Sequence, residues 1–149
     1  MAVSLADQVP DGTTVLIDTN PIIYLLEGNP LAAAFHSIFE AVDKGRIRAI
    51  VTPITLAEVV SGPLKSGNEA LVERYRRTIT QNAGWSMCDI NADIAVLSAR
   101  LRLRYALKLP DALQVAVALH TGCYALATHD RDFGAVSEVL ILGTSRRSR

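Results

Sequence analysis

Apolar and polar positions follow two rhythms along this chain. Short runs of β-branched and small apolar residues fall at 14–17, 46–51, 85–90 and 124–128, and another at 139–142 closes the chain. Between them, apolar residues recur at helical spacing. Strands separated by helices predict βαβ units and a parallel sheet covered on both faces, an α/β fold.

The helix boundaries are written in capping residues. Asn20 followed by Pro21 reads as a cap and first-turn proline opening PIIYLLEG. Gly28-Asn29-Pro30 breaks that helix, and another over 31–44 ends at Gly45. Thr52-Pro53 opens ITLAEVVSG, with Gly62-Pro63 as its stop. Asn68 caps EALVERYRRTITQ, and Asn91 caps ADIAVLSARLRLRY with Asp93 in its first turn. Pro110 precedes DALQVAVALHTG, which Gly122 terminates. No internal repeat, low-complexity tract or dividing linker interrupts the pattern.

Composition narrows the picture. A chain of 149 residues, half of them hydrophobic, suits one domain with a sizeable core. Aromatics are only 5%, so aliphatic side chains must supply the packing, as helices on a buried sheet do. Fifteen basic and fifteen acidic residues cancel, so net charge gives no support for a nucleic-acid partner and attention moves to distribution. Cys88 and Cys123 lack metal-ligand spacing and read as buried thiols of a reducing compartment, with a single bridge left open. MAVSLADQVPDG has neither a charged leader nor an apolar core of signal-peptide length, and no apolar run approaches the roughly 20 residues of a membrane helix. A soluble, cytoplasmic protein without a membrane partner is expected.

The chemistry lies in the acids. In an open α/β sheet, ligands bind beyond the carboxyl ends of the strands. Asp18 ends the run VLID, and Asn20 looks better placed to cap, which leaves Asp18 without that duty. Glu58 fits a capping box with Thr55, but Pro53 starts the helix earlier and places Glu58 past its first turn, among Leu56, Val59 and Val60. Asp111 begins an almost wholly apolar helix; dipole stabilisation explains an acid there, yet burial of the helix start is expected. Asp130 and Asp132 follow the fourth strand in ALATHDRDF, where a turn role is ordinary and Thr128 is a hydrogen-bonding neighbour. Gathered at one mouth, these like charges require a neutralising cation. Oxygen-only donors suit Mg²⁺ or Mn²⁺ rather than zinc, and the lone His129 reads as a loop hydrogen-bonding group.

In this order, LIDTNPIIYLLEG, TPITLAEVVSG, KLPDALQVAVAL and ALATHDRDF closely resemble the PIN-domain family, especially VapC-type toxins of toxin–antitoxin pairs. The resemblance spans about residues 14–142. It implies a three-layer α/β/α fold with a five-stranded parallel sheet, and Asp18, Glu58, Asp111 and Asp130 as the acidic site. Asp132 matches an auxiliary acid, and Asn20 and Thr128 match polar positions that orient the site. The implied activity is Mg²⁺- or Mn²⁺-dependent endonucleolytic cleavage of RNA by a homodimer, with a VapB-like cognate antitoxin as partner. The chain then divides into an extension over 1–13, a PIN domain over 14–143 and a basic tail over 144–149. The toxin-type pattern usually starts almost directly with its first strand; a mobile extension is expected here, with a dimer or partner contact as the alternative.

The expected reaction is in-line phosphodiester hydrolysis leaving a 5′-phosphate and a 3′-hydroxyl. Asp18 and Asp111 are the first choices as direct metal ligands, with Asp130 direct or through water, Glu58 orienting water and Asp132 secondary. Because acids repel RNA, basic flanks must hold it. Arg74, Arg76 and Arg77 form one cluster; Arg100, Arg104 and Lys108 are preferred from the other, which also holds Arg102. Arg146, Arg147 and Arg149 would add weak attraction. Two other readings stand beside the toxin: a PIN nuclease of RNA processing or decay without an antitoxin, and a catalytically silent α/β binding module.

Overall fold

The computed structural model describes residues 3–144, so the arginines of the basic tail lie outside the described residues. Its strands are β1 (Thr14–Ile17), β2 (Arg48–Val51), β3 (Trp85–Met87), β4 (Ala125–Ala127) and β5 (Leu140–Leu142). They form one sheet in the order β3-β2-β1-β4-β5, and all its pairings are parallel. The chain therefore builds outward from β1 on one side, then crosses back to build on the other. That reversal places a topological switch point between β1 and β4, the position where such sheets open a crevice.

Successive strand residues point to opposite faces, and the core divides accordingly. Val15, Ile17, Ala49, Val51, Ala125 and Ala127 face helices α1 (Thr19–Glu27), α2 (His36–Asp43), α3 (Pro53–Lys65) and α4 (Glu69–Gln81). Leu16 and Leu126 face α5 (Ala92–Tyr105) and α6 (Leu109–His120). The predicted three-layer α/β/α arrangement is the one observed. Among the described residues no helix is long and apolar enough to cross a membrane.

Several boundaries differ from the pattern-based reading. Asp18, not Asn20, occupies the position before α1; Gly28 ends that helix in the left-handed conformation, at φ 65°. The helix predicted over 31–44 is a 3₁₀ stretch (Pro30–Phe35) followed by α2. Helix α3 runs through Gly62-Pro63 to Lys65. Proline near a helix's end removes only its own N–H from the ladder, and the Pro63 carbonyl still accepts from Asn68 N–H. Lys108 stands before α6, so Leu109 and Pro110 are already helical.

The segment before β1 is docked rather than mobile. Residues Leu5–Gln8 form a 3₁₀ turn, with Ala6 and Val9 buried against α2 and the sheet. Arg46 clamps it, donating to the carbonyls of Ala6 and Val9 and to Asp11. Cys88 and Cys123 are both free and only partly buried.

Candidate active site

Asp18 leaves β1 at the switch point and is only 6% exposed. Although it holds the cap position of α1, its side chain makes no capping bond. Its carboxylate instead faces the neighbouring elements: Oδ1 accepts from Gln114 Nε2 at 3.1 Å, and Oδ2 from Thr128 Oγ1 at 2.8 Å. Burial pushes the Asp18 carboxyl above the usual range, against the lowering effect of those bonds.

Thr128, fully buried just after β4, joins two acids. Its hydroxyl donates to Asp18 and accepts the Asp130 N–H at 3.0 Å. Asp130 in turn starts the 3₁₀ turn Arg131–Ala135 by accepting the Asp132 N–H. Asn20, the second residue of α1 rather than its cap, accepts the His129 N–H at 3.0 Å and so braces the same loop. The His129 ring stands edge-on to Tyr24 and Phe35, with Nδ1 bonded to the Tyr24 hydroxyl, in the hydrogen-bonding role expected of it.

Asp111 approaches from the first turn of α6. Asp111, Asp130 and Asp132 each present a carboxylate oxygen within 4.8 Å of the others. This triad has Asp132 where Asp18 was the expected ligand; Asp18 is more deeply buried and acts on Asp111 through its charge. Burial, followed by the charges of Asp18, Asp130, Asp132 and Glu58, pushes the Asp111 carboxyl up to about 6. All five acids therefore share one electrostatic neighbourhood. Glu58 is exposed on α3, not packed among its apolar neighbours, and its Oε1 accepts from Thr19 Oγ1 at 2.9 Å. The capping box is absent, because Thr52 caps α3 by accepting the Thr55 N–H.

An oxygen-only donor set, partly desolvated and mutually repelling, fits a hard divalent cation. Asp111, Asp130 and Asp132 are the residues that could hold it, with Asp18 in the same electrostatic neighbourhood. Of the basic flank, Arg104 is engaged by Glu138 at 2.7 Å, while Lys108 precedes α6 close to Asp111 in the chain. The sequence pattern marks Thr52 and Thr55 only as helix-start residues and does not single out Thr19 or Gln114; the four form buried polar links between α1, α3 and α6. One signal was available: Gln114 is an amide within an otherwise apolar helical run, three residues beyond Asp111.

The family profile of the PIN domain matches residues 15–139. The chain belongs to the PIN domain family. No curated protein matches this PIN chain in sequence. Among solved structures it is similar to a toxin–antitoxin complex from Klebsiella pneumoniae, with 29% identity, a TM-score of 0.65, and coverage of 88% of this chain and 95% of that one. VapBC2 from Rickettsia felis, bound to a DNA fragment from its promoter, shares the fold at 16% identity and a TM-score of 0.69, covering 86% and 96%. VapC20 from Mycobacterium tuberculosis, a sarcin–ricin loop cleaving toxin, does so at 15% identity and a TM-score of 0.64, covering 81% and 93%. The PIN fold and its acidic mouth mark a nuclease.

Proposed function

We propose that this chain is a metal-dependent endoribonuclease acting as the toxin of a type II toxin–antitoxin pair. The observation that carries the nuclease reading is the convergence of Asp18, Glu58, Asp111, Asp130 and Asp132 at the switch point of a PIN sheet. The toxin reading is supported by the likeness to the Klebsiella pneumoniae complex, which extends over 95% of that chain. A VapB-like antitoxin is the corresponding partner, and cytoplasmic residence and a homodimer belong to the same proposal. Leu103, 91% exposed on α5, is an apolar residue that a dimer would cover.

Asp111 and Asp130, with Asp132 and Asp18, would hold Mg²⁺ or Mn²⁺. When bound, such an ion supplies charge neutralisation at phosphate and activation of water. The chain's own residues do the remainder. Thr128 and Gln114 fix Asp18, Asn20 fixes the loop that carries Asp130, and Thr19 holds Glu58 by Oε1. That leaves Glu58 Oε2 to take a proton from the attacking water. Water oxygen joins phosphorus as the P–O3′ bond breaks, and the departing 3′-oxygen takes a proton from solvent, giving a 5′-phosphate and a 3′-hydroxyl. Arg100 and Lys108 would hold flanking phosphates.

The test is cleavage of structured RNAs by purified protein with Mg²⁺ or Mn²⁺. Cleavage is expected to stop in EDTA and in Asp18→Asn. Activity undiminished by either change contradicts the proposed site.

A further inference from the structure

Gln114 is 1% exposed in the middle of α6 and makes three hydrogen bonds through one amide. Its Oε1 accepts from Thr52 Oγ1 at 2.7 Å; its Nε2 donates to Thr55 Oγ1 at 2.8 Å and to Asp18 Oδ1 at 3.1 Å. An ionised carboxylate only accepts, so the NH₂ side of the amide must face Asp18. The bond from Thr52 to Oε1 fixes that orientation from the other end.

The amide also completes a longer path. Thr19 Oγ1 links Glu58 to Thr55, Gln114 links Thr55 to Asp18, and Thr128 links Asp18 to the backbone of Asp130. The end of β1, the start of α3 and the middle of α6 are thereby locked together at the acids. Gln114 lies on the same helix face as Asp111, three residues on, so α6 carries both an acid of the cluster and the group that aims another.

We infer that Gln114 is a positioning residue for the cation site, holding Asp18 toward Asp111 and Asp130 and locking α3, with Glu58, to α6. The inference rests on the metal-dependent reading above. Groups that orient ligands without touching the metal typically change its affinity by about 10- to 100-fold when removed.

The experiment titrates Mn²⁺ into metal-free protein by calorimetry, well below the melting temperature of each variant. Gln114→Met keeps the length and removes the amide. It is expected to bind Mn²⁺ about tenfold more weakly than the parent. A lower melting temperature with parental Mn²⁺ affinity shows only a packing role and overturns the inference. Should Gln114→Met fail to fold, Gln114→Glu keeps the shape and the acceptor for Thr52 but sets a carboxylate oxygen against Asp18. Weaker Mn²⁺ binding is then expected despite the added negative charge, and unchanged or tighter binding overturns the assignment. A parent that binds no Mn²⁺, tested alongside, removes the metal reading and this inference together; parental binding with an unaffected Gln114 variant removes this inference alone.

Discussion

Asp111→Asn is expected to lose most of the stabilisation that Mn²⁺ gives the parent, and RNA cleavage is expected to fall by on the order of 100-fold or more. A cation present at about a hundred times its Kd stabilises the folded chain by about 2.7 kcal/mol. For a chain of this size that corresponds to a rise in melting temperature of roughly 5–10 °C. Asp111 is central to the repulsion the ion relieves, since burial first and then the charges of the other four acids raise its carboxyl to about 6. The sign without metal is opposite. A carboxyl whose folded pKa is raised contributes stability that is full below the unfolded value of 3.8 and lost as pH climbs through about 6. Metal-free Asp111→Asn should therefore gain on the parent from pH 4 to pH 7 while responding little to Mn²⁺. Thermal melts across that range, with and without Mn²⁺, check both halves. An Mn²⁺ shift equal to the parent's contradicts the role given to Asp111.

Gly143→Ala carries the second large effect and comes from a residue with no chemistry of its own. Gly143 follows β5 with φ at 98°, a conformation side chains rarely adopt. A Cβ there would lie 2.6 Å from Phe35 Cε1 and 2.6 Å from the Thr128 carbonyl oxygen. Neither can yield cheaply: Phe35 is fully buried, and the Thr128 oxygen is backbone at the end of β4. Overpacking together with the unfavourable backbone conformation is expected to cost about 2–4 kcal/mol. That lowers the melting temperature by roughly 5–15 °C. The strain falls on Thr128, whose hydroxyl holds Asp18 and Asp130, so Mn²⁺ affinity should fall as well. A melting temperature within about 2 °C of the parent contradicts this packing.

The layer order of the fold was legible because strand and helix periods differ, and every interior strand is a short aliphatic run. The helix ends were less so. A cap is chosen by where the backbone leaves the strand, which is why Asp18 took the place assigned to Asn20. The Asp18 side chain still makes no capping bond, while Asn20 braces His129. Glu58 was expected among apolar neighbours and is exposed, because helix periodicity gives a face but not the depth of the layer above it. The docked turn at Leu5–Gln8 has no periodicity to read, and its clamp, Arg46, lies far along the chain. Gln114 stood in plain sight within an apolar helix. What it does depends on Thr52, Thr55 and Asp18, which come together only when α3, α6 and β1 assemble.

The most direct measurement is anomalous scattering from crystals of the parent protein grown with saturating Mn²⁺. The predicted result is a peak bounded by Asp111, Asp130 and Asp132, on the side of Asp18 away from Gln114. A fully occupied Mn²⁺ elsewhere with none at this cluster, or no bound Mn²⁺ at all, contradicts the claim that these acids form a cation site.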